Sequence, residues 1–229
     1  MSVIDDSTNR VVDTVVVGGA RDGPSAVAYD RAKGEVFVTS CRVPDDECAG
    51  LGLVKVINDT TNKVVRTITL GSEPWGLAYD DGKGEVFVTD EGSQNVSVIS
   101  DTTNKVVVTI PVGYDPVDVA YDRERGEVFV ANYGGTVSVI SDATNKVVAT
   151  ISVGSNPISI AYDREDGEVF VANAYYADNV TVIDDATNRV VSTVAVGSWP
   201  SGEAYDPDNG FLYVTNSNQG TISLISTPS

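Results

Sequence analysis

Apolar and polar positions fall in short runs along the whole chain, and the same runs return. Between Pro116 and Gly154 four of them stand in a row: Val117–Tyr121, Glu127–Ala131, Thr136–Ile140 and Lys146–Val153. They are rich in Val, Ile, Phe, Tyr and Thr, which suit a pleated, packed backbone. No stretch sustains a helical period. Turn chemistry separates the runs: Asp122-Arg123-Glu124-Arg125-Gly126, Asn132-Tyr133-Gly134-Gly135 and Asp142-Ala143-Thr144-Asn145, with Gly154-Ser155-Asn156-Pro157 leading into the next unit. Asp bonds to its own turn, while Asn and Gly accept a positive φ.

The unit recurs. Pro24, Pro74, Pro116, Pro157 and Pro200 open successive copies at spacings of 50, 42, 41 and 43 residues. Four antiparallel strands repeated at this period predict an all-β fold, a β-propeller of four-stranded blades. The second run is apolar on both faces, as in Val128-Phe129-Val130 and Val169-Phe170-Val171. That suits a strand covered on both sides by neighbouring blades. The fourth run mixes in charges, as in Lys63-Val64-Val65-Arg66-Thr67, and predicts an outer edge guarded against stray pairing.

The ends of the chain complement each other. Residues 1–18 supply a third and a fourth strand, and residues 200–226 a first, second and third. Arg10–Val17 is therefore expected beside Thr221–Ser226, closing five blades into a ring and removing an exposed edge. Residues 1–229 then form a single domain, with blades at about 24–70, 74–112, 116–153, 157–196 and 200–226 plus 10–17. Met1–Asp5 also carries the third-strand pattern and competes with Thr221–Ser226 for one place. A slice of a larger ring is the alternative.

These runs resemble the YVTN family of β-propeller repeats of archaeal and bacterial surface-layer and secreted proteins. The family's own four letters stand at Tyr213-Val214-Thr215-Asn216. The other copies read Phe37-Val38-Thr39-Ser40, Phe87-Val88-Thr89-Asp90, Phe129-Val130-Ala131-Asn132 and Phe170-Val171-Ala172-Asn173. The resemblance covers almost the whole chain. It implies a propeller and an extracellular or cell-surface location, and it is nearly silent on activity, since one fold hosts many functions.

Composition narrows the choices. With 15 Lys and Arg against 33 Asp and Glu, the formal charge is −18, which argues against nucleic acid and anionic membranes as partners. The chain contains no histidine, so His-based zinc sites, Ser-His-Asp triads and His bases are excluded. No run is long enough for a membrane helix, and no signal peptide precedes the first strand, so the chain reads as a mature or trimmed domain. The first blade is longer than the rest because of one polar loop that holds both cysteines. A Cys41–Cys48 disulfide is expected there and would imply an oxidising compartment.

Two loop faces are expected. One repeats the same charged turns; its Asp-x-x-x-Gly-Glu phrase lacks the alternating oxygen ligands of a calcium loop and reads as turn chemistry. The other varies from blade to blade and carries Trp75, Tyr114, Tyr133, Tyr175, Tyr176 and Trp199. Variable aromatic loops on a repetitive scaffold are the expected binding surface for a carbohydrate or protein partner, unless the tryptophans only cap the seams between blades. Charges at Asp118 and Glu203 interrupt the apolar register of the first strands. They either face channel water or line a central channel and hold a divalent cation, the one cofactor the sequence suggests. The expected function is a non-catalytic surface binding or structural module. The alternatives are a metal-assisted propeller enzyme of lyase or lactonase class, although propeller lyases of related repeat type lean on histidine, and a scaffold with no ligand.

Overall fold

Each Val-Phe-Val run becomes a central strand because it is apolar on both faces, and each charged turn ends a hairpin because its Asp and Gly fit nothing else. The computed structural model describes residues 1–18, 22–42 and 51–226. The chain divides into two compact units, one of Met1–Ser93 with Ser97–Thr109 and one of Gln94–Val96 with Ile110–Ser229.

The first unit opens on a two-stranded sheet, β1 (Ser2–Asp5) and β2 (Arg10–Thr14). Two four-stranded antiparallel sheets follow. One is β3 (Asp22–Asp30), β4 (Glu35–Arg42), β5 (Leu51–Asn58) and β6 (Lys63–Ser72); the other is β7 (Pro74–Asp80), β8 (Glu85–Asp90), β9 (Asn95–Ser100) and β10 (Lys105–Pro111). In the second unit, β11 (Pro116–Asp122), β12 (Glu127–Asn132), β13 (Thr136–Ser141) and β14 (Lys146–Ser152) form one sheet. β15 (Pro157–Asp163), β16 (Glu168–Asn173), β17 (Asn179–Asp184) and β18 (Arg189–Ala195) form the next. The last sheet has three strands, β19 (Pro200–Asp206), β20 (Phe211–Asn216) and β21 (Thr221–Ser226).

Within each unit, sheets stack face to face. In the second, Phe129, Val137, Val139 and Ile151 pack on Ile160, Val169, Val171 and Ile183. In the first, Phe37, Val54, Val56 and Ile68 pack on Leu77, Val86, Val88 and Ile99. The Phe rings are shut off from solvent, and each contributes about 3 kcal/mol by burial. Val15 and Val17, with Met1 and Val3, lie against Val38 and Ile57. The N-terminal hairpin therefore covers its neighbour as the outer half of a blade would.

The expected ring closure is corrected. β2 pairs with β1, from Ser2↔Thr14 to Asp5↔Arg10, and among the described residues β21 pairs only with β20. Among the described residues there are six sheets rather than five closed blades. β1 carries the third-strand pattern and is joined to β2 by one tight turn. Local pairing costs far less chain entropy than bringing in a strand some two hundred residues away.

Hydrogen bonds fix the turn ends. Asp122 Oδ1 accepts the amides of Glu124 (2.8 Å) and Arg125 (3.2 Å). Gly126 turns the chain at φ 64, and a Cβ there would lie 2.7 Å from Asp142 Oδ1, so the glycine is required twice over. Tyr121 donates to Asp142 (3.1 Å) and Tyr162 to Asp185 (2.9 Å), as Tyr29 does to Asp59 (2.9 Å) and Tyr79 to Asp101 (3.0 Å) in the first unit. These bonds latch the first strand of a sheet to its own third turn.

Candidate functional site

The prolines that open the units set the site's backbone. The pairing register slips just after them, between Pro116 and Asp118, Pro157 and Ser159, and Pro200 and Gly202. Such bulges re-aim side chains at sheet ends. The residue before four of the five repeat prolines sits in the left-handed region: Glu73 (φ 55), Asp115 (φ 49), Asn156 (φ 53) and Trp199 (φ 59). Asp and Asn tolerate this conformation, whereas a bulky side chain is strained in it. The β16–β17 loop adds Tyr175 (φ 45), Tyr176 (φ 71) and Asp178 (φ 45). Strained backbone in the second unit thus gathers at two adjoining loops.

Those loops are tied together. The Trp199 amide donates to Asp178 Oδ1 at 3.0 Å, and the Trp199 carbonyl accepts from the Ser217 amide at 2.9 Å. Their rings meet. Tyr175 lies 3.9 Å from Trp199 between ring centres, tilted by 49°. Tyr133 meets Tyr175 edge-on at 6.4 Å, and Tyr176 stands 6.4 Å from Tyr175 with its side chain almost wholly in solvent. Beside them a cavity of about 430 Å³ is lined by Tyr114, Tyr133, Gly134, Gly135, Ser155 and Asn156, among others. Five of the six expected aromatic residues therefore fall on one stretch of loops in the second unit. Trp75 belongs to the first unit. It stands at the start of β7, about half exposed, and its carbonyl accepts the Thr39 hydroxyl at 2.9 Å.

The turn face holds clefts too. One of about 580 Å³ in the first unit is lined by Tyr29, Arg31, Tyr79 and Asp81. One of about 430 Å³ in the second is lined by Glu124, Arg125, Tyr162 and Arg164. The tyrosine hydroxyls there are already committed to Asp59, Asp101 and Asp185, so these clefts offer a ligand fewer free groups than the aromatic loops do.

Asp118 and Glu203 lie in the second unit on β11 and β19, either side of β15. Asp118 accepts the Val119 amide at 2.9 Å and, across the strand gap, the Ile160 amide at 3.0 Å. Burial pushes its carboxyl up to about 6 against the pull of those amides. Both Glu203 oxygens are closed off from solvent without a well-formed hydrogen bond. Burial, with the Asp118 charge added, pushes this carboxyl well above its ordinary value, and the Ala172 amide is the one donor that opposes the rise. Burial thus disfavours the charged form of both carboxyls. Among the described residues no group of three or more His, Cys, Asp or Glu is placed to hold a metal. The expected Cys41–Cys48 pairing lies outside the described residues: Cys41 lies in β4 but Cys48 falls within 43–50.

Sequence reasoning missed Asp178 as the tie between loops. It also missed that Asp118 spends its oxygens on backbone amides. The position before the repeat proline was the available signal for the first, because it is Asp or Asn in two other copies and Trp in this one.

No family model matches the chain, and no curated protein matches it in sequence. Solved structures do. The hydrazine synthase of Kuenenia stuttgartiensis superposes with a TM-score of 0.78 at 18% identity, over 96% of this chain and 67% of that one. A chain of a mitotic checkpoint complex gives 0.85 at 13% identity, over 99% and 69%. At these identities the likeness carries the fold alone, and that fold is of β-propeller type.

Proposed function

We propose that this chain is a non-catalytic binding module, with repeats of YVTN type, that recognises a cell-surface carbohydrate through its aromatic loops. The observation that carries the reading is the Tyr175–Trp199 ring pair, held in left-handed backbone at both residues. Neither residue belongs to the core clusters seen among the described residues, and Tyr176 beside them lies in solvent. Strain offset only by the contact of the two rings with each other supports a site whose geometry serves a ligand. Flat rings with polar neighbours such as Asp178, Asn156 and Ser155 suit the apolar face and hydroxyl rim of a sugar. A glycan array and a peptide array probed with the intact chain test this. Glycan hits that vanish in the Tyr175→Ala and Trp199→Ala variants support it. Unchanged retention of a Trp75, Tyr175 and Trp199 triple variant on every ligand that binds the parent sinks it, and binding to peptides alone moves the partner to protein.

A second reading rests on Glu203, whose two oxygens are buried without a well-formed partner. Deprotonated, it would offer oxygen ligands to a calcium-sized ion and open the way to metal-assisted chemistry. Two carboxylates would supply only part of the six to eight oxygens such an ion takes. Calcium or manganese raising the melting temperature of the parent but not of Glu203→Gln would favour this reading, and no shift with either metal would end it. Silence on both arrays and with both metals leaves a structural scaffold.

A further inference from the structure

We propose that two copies of this chain join head to tail by building one shared sheet, in which the β19–β20–β21 sheet of one copy takes β2 of the other as its fourth strand. Four of the six sheets have four strands, and the remaining two lack complementary parts. β19 to β21 are a first, second and third strand; β1 and β2 are a third and a fourth. β21 reads Thr-Ile-Ser-Leu-Ile-Ser, nearly the Thr-Val-Ser-Val-Ile-Ser of β13. β13 takes a fourth strand along its whole length, from Thr136↔Ser152 to Ser141↔Lys146, and β21 has none among the described residues.

The strand that fits is one the chain carries. Residues 2–18 match residues 181–197 at 13 of 17 positions, and the second stretch contains β18, the fourth strand of its own sheet. Carried over, the β17–β18 register sets Ile222 opposite Val15, Leu224 opposite Asp13 and Ser226 opposite Arg10. β1 now holds β2 through four residue pairs, whereas a full third strand makes six. In the joint β1 gives way, and the ladder lengthens.

Apolar surface points the same way. Ile222 and Leu224 are 58% and 56% exposed, while their counterparts Val137 and Val139 are at 0%. At the other end Val27 is 59% exposed, while its counterparts Leu77, Val119 and Ile160 lie between 6% and 8%. A shared sheet covers both bare faces and the open edge, the kind of edge through which chains pair. Because donor and acceptor surfaces differ, each copy keeps one of each, and assembly continues past the dimer or closes into a ring of copies. With a formal charge of −18 per chain, added salt screens repulsion and favours the joint.

Sedimentation velocity on the full chain, over a wide concentration range and at low and moderate salt, tests this. The weight-average mass should at least double with concentration, rising further with salt. The Ile222→Lys/Leu224→Lys variant, altered only at exposed positions, should stay at the monomer mass of 24.1 kDa. Tyr176→Ser should assemble as the parent does. Hydrogen exchange at β21 amides should slow only under assembling conditions. A monomer at every concentration overturns the proposal. Open β21 amides would then mean a bare edge, and protected ones would mean that the chain's own β2 fills the place. Assembly that survives the Lys pair overturns it as well.

Discussion

The Tyr162 hydroxyl donates to Asp185 Oδ2 at 2.9 Å, while Arg125, from the preceding sheet, reaches Oδ1 of the same carboxylate at 2.9 Å. Asp185 is 6% exposed and joins two sheets of the second unit. Tyr79 and Lys33 converge on Asp101 in the same way in the first. Burial pushes the Tyr162 hydroxyl far above its ordinary value, and the Asp122 and Asp185 carboxylates push it further, so it stays a donor at any workable pH. Tyr162→Phe should lower stability by about 1.5–3 kcal/mol, the usual worth of a hydrogen bond to a charged group. Asp185→Ala removes the partner of both groups and should cost more. The urea midpoint measures both, and an unmoved midpoint in Tyr162→Phe would show that the latch contributes nothing.

Stability should fall as pH rises through the weakly acidic range. Burial pushes Asp90 and Asp118 up to about 6 from an ordinary 3.8. The folded chain keeps protons there that the unfolded chain has released, so unfolding becomes easier with rising pH. The loss begins near pH 4 and is complete for these two groups a little above pH 6, with Glu203 extending it upward. A two-unit shift is worth roughly 3 kcal/mol. Asp101 works in the opposite direction: although burial resists, hydrogen bonds from Lys33 and Tyr79 lower its carboxyl, so its share is lost only as pH drops below the ordinary carboxylate range. Urea melts near pH 5 should show a higher midpoint than melts near pH 7, and the reverse order would refute the assignment.

How much of this was legible depends on where each feature is encoded. Val128-Phe129-Val130 announced a strand buried on both faces, and Phe129 is at 0% exposure. The turns were legible because Asp122 and Gly126 do local work. The closure was not: β1 and β21 carry the same third-strand pattern, so composition is indifferent between them as partners for β2, and chain entropy decides. The loops of the second unit could be assigned to one face by counting strands. The left-handed backbone at Trp199 and the tie to Asp178 depend on distances no single run contains. Asp118 is a similar case. A charge in an apolar register suggested a channel, and the run could not show that its oxygens hold amides on two neighbouring strands.

Asp90 is the odd member of a repeated position. Ser40 occupies it in the first copy and Asn132, Asn173 and Asn216 in the last three, each Asn donating its Nδ2 to a hydroxyl, Ser138 at 3.0 Å, Thr181 at 2.8 Å and Ser223 at 2.9 Å. Asp90 instead accepts the Ser97 hydroxyl at 2.6 Å and is wholly buried. Asp90→Asn should restore the repeat's own arrangement and remove a charge that burial disfavours. We expect it to raise stability at neutral pH by about 1–3 kcal/mol. It should change little near pH 4, where Asp90 is already protonated, and flatten the pH dependence by its share. Equal effects at both pH values would mean that the carboxylate is not the source of the cost.

Trp199 sets stability against binding. The same place before the repeat proline is filled by Asp115 and Asn156, both content at φ near 50. A tryptophan there costs of order 1–3 kcal/mol in backbone strain, recovered only in part by its contact with Tyr175. Trp199→Asn should therefore hold or raise the melting temperature while removing the ring from the Tyr133–Tyr175–Trp199 cluster. If the aromatic loops bind a sugar, affinity should fall at least tenfold, since a lost stacking ring and the disordering of Tyr175 act together. Trp199→Phe separates the two effects: it keeps a ring and the strain, so it should bind weakly and gain no stability. A Trp199→Asn variant that melts several degrees lower would show that the indole caps the seam beside Pro200 and belongs to the fold rather than to a ligand site.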